Sequence, residues 1–249
     1  MNRKIPFVVG EYYHTYNKTV FGINEFSDRD NAYKLAQTFL LANSTTSSQA
    51  FDYLRNDRHP MLKNAIEIKN SGEKLTDILC YVIMPNHYHL LLREIKEGGI
   101  TDFLRRSSTS IAKYINTKKE RRGPLFEGNF KSKHIDSNTY LLHLSLYIHL
   151  NPLDFITNKN WRENKMEDWG NIFKKLTDYR WSSLRSYLND NDTASTSDFD
   201  AIISGEKIIK NQFNDLGNDN DYGNYGNFLK EWATGLGETN NDNIEKFAF

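Results

Sequence analysis

The sequence predicts an α+β fold in which helices pack on one face of a mainly antiparallel sheet. Segments rich in β-branched and aromatic residues alternate with segments whose apolar residues recur at helical spacing, in the order strand, helix, strand pair, helix, strand, helix. The strand pair is the clearest local signal. Two apolar runs, Leu75 to Met84 and His87 to Arg93, are separated only by the turn-forming pair Pro85-Asn86, which indicates a hairpin.

The other elements follow from apolar spacing and from residues that start or stop a helix. We expect a first strand over 7–16, a helix capped by Asp28, a second helix opening near Gly98 with Thr101 as its cap, and a strand over 126–135. A last helix is capped by Ser137 or Asn138 and is stopped by Pro152.

The length of 249 residues suits one good-sized domain with an appendage. We expect a catalytic-type body over 1–188 and an acidic, Asn-rich extension over 189–249, mostly helical or irregular. A single cysteine, Cys80, excludes an intrachain disulfide. The sequence shows neither a secretory leader nor an apolar run long enough to cross a bilayer, so we expect a soluble, cytoplasmic protein.

The formal net charge of zero conceals an uneven distribution of charge along the chain. Residues 189–249 carry 12 acidic and 4 basic side chains, a net charge of −8, whereas residues 1–188 carry 28 basic and 20 acidic side chains, a net charge of +8. A basic body is typical of proteins that neutralise phosphate groups of nucleic acid.

Two histidines, His87 and His89, are two residues apart on the second hairpin strand. Side chains at this spacing point to the same face of a sheet, so the two imidazoles can bind one divalent ion. Alternatively, they are ordinary half-buried histidines that form hydrogen bonds to the backbone. Two imidazoles do not complete a metal site, and a third ligand is required.

The last predicted helix carries a polar stripe on an otherwise apolar surface. His143, Tyr147 and Asn151 are spaced by four residues, and Tyr140 lies close to them. Tyr147 and Asn151 could therefore meet the histidine face. In isolation, Tyr147 could equally be a tyrosine at the edge of the core, and Asn151 could be a helix C-cap before Pro152. Taken together, two imidazoles, an amide and a phenol suit metal-assisted attack of tyrosine on a phosphodiester.

The string Tyr81-Val82-Ile83-Met84-Pro85-Asn86-His87-Tyr88-His89-Leu90-Leu91 resembles the histidine-hydrophobic-histidine core of single-tyrosine HUH transposases, and most closely the REP-associated tyrosine transposases. Three further blocks carry the resemblance: residues 123–133, the helix around Tyr147, and Trp181-Ser182-Ser183. Together these blocks span roughly residues 7–188. The middle residue of the histidine motif is Tyr88 rather than an aliphatic residue, and strand alternation should turn it away from the metal.

The resemblance implies a ferredoxin-like sheet that bears His87 and His89, with Mg²⁺ or Mn²⁺ bound by both histidines and by Asn151. It implies that Tyr147 is the nucleophile, and that single-stranded DNA with stem-loops is cut to a 5′-phosphotyrosine and a free 3′-hydroxyl. A later attack by a 3′-hydroxyl rejoins the strand. No small-molecule cofactor and no membrane partner are implied, and a homodimer and a monomer both stay open.

Basic residues between the second and last predicted helices are candidate contacts to DNA phosphates: Lys118, Lys119, Arg121, Arg122, Lys131 and Lys133. A merely solvated basic loop is the alternative. Three other functions remain open for the whole chain. They are a domesticated hairpin-DNA-binding protein without strand transfer, a metal-dependent single-strand nuclease that uses water, and a non-catalytic interaction protein.

Overall fold

The computed structural model describes residues 6–157, 161, 168–188, 199–215 and 223–234, and the predicted α+β class is confirmed. The strands are β1 (Tyr12–Lys18), β2 (Thr76–Ile83), β3 (His87–Glu94) and β4 (Lys131–Ile135). The α-helices are α1 (Arg29–Ala42), α2 (Ser47–Asn56), α3 (Leu62–Asn70), α4 (Gly99–Lys118), α5 (Asn138–Leu150), α6 (Leu153–Ile156), α7 (Trp169–Asp178), α8 (Leu184–Leu188), α9 (Glu206–Asp215) and α10 (Gly223–Thr234). None of these described helices combines the length and apolarity needed to span a membrane.

The four strands form one antiparallel sheet in the order β2-β3-β1-β4. With α1 between β1 and β2, and α4 between β3 and β4, this is the ferredoxin-like βαββαβ arrangement. The predicted hairpin is confirmed, because β2 pairs with β3 across the Pro85-Asn86 turn. A β-bulge between Ile78 and Cys80 shifts the register of this pair by one residue.

The two faces of the sheet carry different side chains because successive strand residues alternate. One face, here called the core face, presents Tyr88, Leu90 and Leu92 to an apolar core shared with α1 and α4. The opposite face, here called the histidine face, carries the even-numbered residues of β1 and the odd-numbered residues of β3. Helices α5 and α9 cover part of it, and α10 packs on these two helices. Helices therefore pack on both faces, whereas the sequence indicated only one.

The first strand begins at Tyr12, five residues later than predicted. Gly10 has a φ of +93°, a left-handed conformation that favours glycine, and its N–H donates to the Glu94 carbonyl at 2.7 Å. Phe7 lies in the chain before this turn and packs edge-on against Tyr13, with ring centroids 4.6 Å apart. Phe7 is therefore buried by packing outside the strand rather than by strand pairing.

Two predicted helix caps are confirmed and one is wrong, whereas the predicted opening of α4 near Gly98 is confirmed. The Asp28 side chain accepts hydrogen bonds from the first turn of α1, and the Ser137 hydroxyl does the same for α5. Helix α4 starts at Gly99, so Thr101 is not its cap. The buried Glu94 carboxylate instead accepts from the N–H groups of Gly99 and Ile100, at 3.1 and 2.8 Å, which satisfies two donors of the first turn.

Helix α5 is tied to the sheet and to α10 by a buried polar network around His149. The two ring nitrogens of His149 lie 2.7 Å from the Tyr225 and Ser183 hydroxyl oxygens. The Ser183 hydroxyl also accepts from the Tyr81 N–H at 2.9 Å. Burial lowers the pKa of His149 to about 3, so the ring is neutral and can donate with one nitrogen while accepting with the other. This network fixes the helix that carries Tyr147.

We expect Ser183→Ala to lower the free energy of unfolding by about 1–3 kcal/mol, because it leaves the buried Tyr81 N–H and one nitrogen of His149 without their partner. Urea denaturation at neutral pH measures the change. Ser186→Ala in α8, the short helix that follows Ser183, lies outside this network; it is the matched control and should change stability much less. Equal destabilisation by both variants would contradict the structural role assigned to the network.

Candidate active site

His87 and His89 lie on the histidine face, as the sequence predicted. Their ring centroids are 5.0 Å apart and the ring planes are nearly perpendicular, at 88°. His89 is fully buried, whereas His87 is partly exposed at the edge of a cleft. The spacing is compatible with two imidazoles on one ion, because a bond from imidazole nitrogen to a metal is about 2.0–2.1 Å long. Tyr88 points into the core face, as alternation predicted.

The Nδ1 atom of each histidine in this pair contacts another polar side chain. Nδ1 of His87 lies 2.6 Å from Oδ1 of Asn86, and Nδ1 of His89 lies 2.8 Å from Nε2 of His14. The Asn86 amide is itself oriented, because its Nδ2 donates to the Gly22 carbonyl at 3.2 Å. Both rings are therefore held from the Nδ1 side.

His14 is a site residue that the motif-based interpretation missed. It lies on β1 and faces Leu91 across the β1–β3 pair, so its ring is on the histidine face and stacks on His89 with centroids 5.0 Å apart. Burial, together with the nearby positive charge of Lys133, lowers the pKa of His14 to about 3. The sequence offered one indication of this role: His14 occupies an even-numbered position of the first predicted strand.

The donor chemistry around this pair fits a divalent ion in part. Among the residues that the structure describes, no group of three or more His, Cys, Asp or Glu side chains is arranged to hold a metal. His14 directs its Nε2 at His89 rather than joining the pair as a third ligand. A metal held by His87 and His89 would therefore need oxygen donors of another kind, such as an amide, water or a phosphate.

Tyr147 packs against the histidine pair from α5. Its ring meets the ring of His89 edge-on, with centroids 5.8 Å apart, and the side chain is 1% exposed. Trp161 packs over the same tyrosine, with centroids 6.2 Å apart, and is itself 4% exposed. The structure thus brings the predicted nucleophile against His89, one of the predicted metal ligands, in a conformation where the side chain is buried.

Asn151 ends α5 as its C-cap, directly before Pro152. Its amide Nδ2 donates to the Tyr147 carbonyl at 2.8 Å, and the side chain is buried. This bond sets the direction of the amide, because a carbonyl oxygen can only accept. The cap uses the amide nitrogen, so a role as a metal ligand through the amide oxygen remains compatible with it.

The other two members of the predicted polar stripe pack against other side chains. His143 packs against Trp232 of α10, with ring centroids 5.3 Å apart. Tyr140 lies under the Lys133 ammonium, which is 5.4 Å from its ring centroid. Burial, aided by the negative charge of Asp136, raises the pKa of Tyr140 to about 12. Tyr147 is the member of the stripe whose ring meets His89.

A cleft of about 440 Å³ opens beside His87. Two lysines from adjacent strands, Lys18 and Lys131, line it together with Glu127. The remaining lining residues are Tyr16, Asn17, Asn86, Gly128 and Asn129. Lys18 belongs to the cleft although the sequence interpretation did not select it, because its strand position becomes visible only from the β1–β3 register.

Three of the six predicted DNA contacts form ion pairs within the protein. Lys118 lies 2.9 Å from Asp28, which also caps α1. Lys119 and Arg121 lie 2.5 and 3.2 Å from the buried carboxylate of Glu25. These pairs join the C-terminal end of α4 to the start of α1.

The other three predicted DNA contacts are on the surface. Arg122 is exposed in the loop after α4. Lys131 and Lys133 are exposed on β4 and lie on the histidine face, since they pair with Tyr16 and His14. The structure therefore brings Lys131 and Lys133, but not the whole basic set, to the face that carries the histidine pair.

An exposed aromatic ring lies close to the cleft. Phe21 is 95% exposed and has a φ of +56°, a conformation that is strained for a bulky residue. The adjacent Gly22 approaches two cleft residues, because a Cβ built there would lie 3.6 Å from Asn86 and from Lys18. The Phe21 ring therefore exposes a flat apolar surface to solvent.

Comparison with solved structures finds distant structural similarity and no match by sequence. No protein-family model and no curated protein matches the chain. Among solved structures, a REP-associated tyrosine transposase bound to a REP hairpin is similar over 79% of this chain and 95% of that chain, with 11% sequence identity and a TM-score of 0.45. A likeness this distant assigns no function to the chain.

The burial of Tyr147 predicts resistance to chemical modification in the absence of DNA. We expect tetranitromethane to nitrate Tyr33, which is 36% exposed, well before Tyr147, which is 1% exposed. Peptide mapping by mass spectrometry after a time course measures both sites in one sample, so Tyr33 serves as the internal control. Nitration of Tyr147 at the rate of Tyr33 would contradict the closed arrangement with Trp161.

Proposed function

We propose that the protein cuts and rejoins single-stranded DNA through a covalent bond between Tyr147 and a 5′-phosphate. The observation that carries the proposal is the contact between the Tyr147 ring and His89, the buried member of a histidine pair on one sheet face. The resemblance of the His87 and Tyr147 motifs to single-tyrosine HUH transposases supports the same reaction.

In the proposed reaction the phenol oxygen of Tyr147 gives up its proton and forms a bond to the phosphorus of a DNA phosphodiester. The bond from phosphorus to the 3′-oxygen breaks, and that oxygen leaves as a 3′-hydroxyl after taking up a proton. The phosphotyrosine keeps the energy of the broken bond. A second 3′-hydroxyl can therefore attack it, release Tyr147 and restore a phosphodiester without ATP.

The proposed metal ligands are His87, His89 and Asn151, which contributes its amide oxygen. When bound there, Mg²⁺ or Mn²⁺ would supply charge that polarises the phosphodiester. The protein's own contribution is to hold both imidazoles on the Nδ1 side, through Asn86 and His14, and to hold Tyr147 against His89.

A single strand is the substrate form that this surface suits best. Lys18 and Lys131 flank the cleft beside His87 and can neutralise backbone phosphates, and Phe21 presents an exposed ring on which a base can stack. Bases of an unpaired strand are free to stack on protein aromatics, whereas paired bases are not. We expect the bound single strand to adjoin a DNA hairpin.

Access to Tyr147 requires a local rearrangement in this proposal. The phenol is covered by Trp161 and His89, so the DNA must displace neighbouring side chains before a phosphate reaches it. Binding energy from the cleft would drive this step, so that the nucleophile is exposed only when a strand is bound.

Two alternatives keep the same fold and the same cleft. A metal-dependent nuclease would use water and leave Tyr147 as a packing residue, which its burial alone would permit. A hairpin-binding protein would need Lys131 and Lys133 but no nucleophile. The covalent intermediate separates these alternatives from strand transfer.

We expect a protein–DNA adduct that survives denaturation when the protein is mixed with Mn²⁺ and labelled hairpin DNA from the flanks of its own gene. Tyr147→Phe should abolish this adduct, because it removes only the attacking oxygen and keeps the ring packing against His89. Denaturing gel electrophoresis measures the adduct. Tyr33→Phe makes the same chemical change on an exposed helix surface and should leave the yield unchanged.

Cleavage that persists in Tyr147→Phe would indicate a water-based nuclease. Hairpin binding by the wild-type protein with no adduct on any tested flank would favour the DNA-binding protein.

We expect Lys131→Ala combined with Lys133→Ala to weaken single-strand binding and to reduce the slope of log K against log salt concentration by about 1.4, because each phosphate contact on a single strand contributes about 0.7. Fluorescence anisotropy across a salt series measures both quantities. Lys174→Ala combined with Lys175→Ala removes two cations from α7 and is the control. An unchanged slope in the β4 variant would exclude these two lysines as phosphate contacts.

A further inference from the structure

We propose that Asn86 and His14 are positioning residues that fix the tautomers of His87 and His89, so that each imidazole carries its hydrogen on Nδ1 and offers its Nε2 lone pair to an ion. The inference rests on the proposed metal site of the preceding section. It concerns two residues outside the ligand set, and it follows from the two hydrogen bonds made at the Nδ1 atoms.

The direction of the bond to His87 follows from the orientation of the Asn86 amide. Nδ2 of Asn86 donates to the Gly22 carbonyl, so the amide oxygen faces His87 at 2.6 Å. An amide oxygen can only accept, so the hydrogen must lie on Nδ1 of His87. A neutral imidazole has one hydrogen, and Nε2 of His87 is then a lone-pair donor.

The bond between His14 and His89 can be written in two ways, because one hydrogen lies between two ring nitrogens 2.8 Å apart. In the arrangement that we assign, Nδ1 of His89 donates to Nε2 of His14. The reverse arrangement would put the hydrogen of His89 on Nε2 and would remove that atom as a ligand. Only the assigned arrangement gives both members of the pair the same tautomer.

The surroundings of His14 suit the role of a fixed acceptor. The ring is 2% exposed and stacks on His89 with a plane angle of 20°, so it holds the orientation of His89 as well as its hydrogen. Partners of this kind on the second ring nitrogen orient metal-ligating histidines and raise their basicity. Here an amide and an imidazole take the place that a carboxylate or backbone carbonyl often has.

The tautomers can be read directly by ¹⁵N NMR of the imidazole rings in the full-length protein without metal and without DNA. We expect both His87 and His89 to carry hydrogen on Nδ1. A hydrogen on Nε2 of either ring would overturn the role of its partner. The measurement does not depend on any reaction with DNA.

The second test is the affinity for Mn²⁺ alone, measured by electron paramagnetic resonance of the free ion. We expect Asn86→Ala and His14→Phe each to weaken Mn²⁺ binding by about 10- to 100-fold. Asn86→Asp keeps an accepting oxygen beside His87, and His14→Gln supplies one in place of the accepting ring nitrogen; both variants should recover most of the affinity. His134→Phe removes an exposed imidazole that contacts Glu11 and should leave the affinity unchanged.

The outcomes separate this inference from the proposed strand transfer. If Asn86→Asp and His14→Gln bound Mn²⁺ as weakly as Asn86→Ala and His14→Phe, the inference would be wrong, and both residues would have only a structural role. Mn²⁺ binding with the expected pattern but no DNA adduct would sustain the inference and reject strand transfer. If the wild-type protein bound no Mn²⁺, the metal site itself would be rejected, and the tautomers would then decide only which way the two hydrogen bonds run.

Discussion

The antiparallel pairing of β1 with β3 is the constraint on which the rest of the site depends. Its register places Tyr16 opposite His89 and Lys18 opposite His87, so residues about 70 positions apart in the chain share one face. Because strand side chains alternate, a shift of one residue would send every side chain of β1 to the opposite face. His14 would then enter the apolar core, and His89 would lose its partner. The register is fixed by the need to bury Tyr13 and Leu92 on the core face.

Elements defined by local sequence signals were predicted well. The β2–β3 hairpin, the caps of α1 and α5, and the common face of His87 and His89 each depend on residues that are close together in the chain. The start of α4 near Gly98 was predicted, but its cap was missed, because the carboxylate that caps it is that of Glu94, at the end of the preceding strand, rather than a residue of the first helical turn. Likewise, His14 and Lys18 carry no local motif, and their roles arise from strand pairing.

The meeting of α5 with the sheet depends on residues that sequence spacing could not connect. The polar stripe of α5 predicted that Tyr147 and Asn151 face one way, but His143 instead meets Trp232 of α10. What sets the position of α5 is the buried network in which His149 contacts Ser183 and Tyr225. Both partners lie far from α5 in the sequence, and Tyr225 lies within residues 189–249. The described part of that acidic segment therefore contributes to the packing of the helix that carries the proposed nucleophile.

Fewer basic residues are available to bind phosphate near the site than the sequence suggested. The body carries a net charge of +8, yet Lys118, Lys119 and Arg121 are already paired with Asp28 and Glu25. A cation that is paired within the protein gains less from a DNA phosphate, because it must weaken one interaction to make the other. The lysines that remain on the histidine face lie on β1 and β4, the strands that border the cleft beside His87. Attraction for a phosphate backbone is thereby concentrated where the histidine pair lies, and the net charge of the whole chain says little about it.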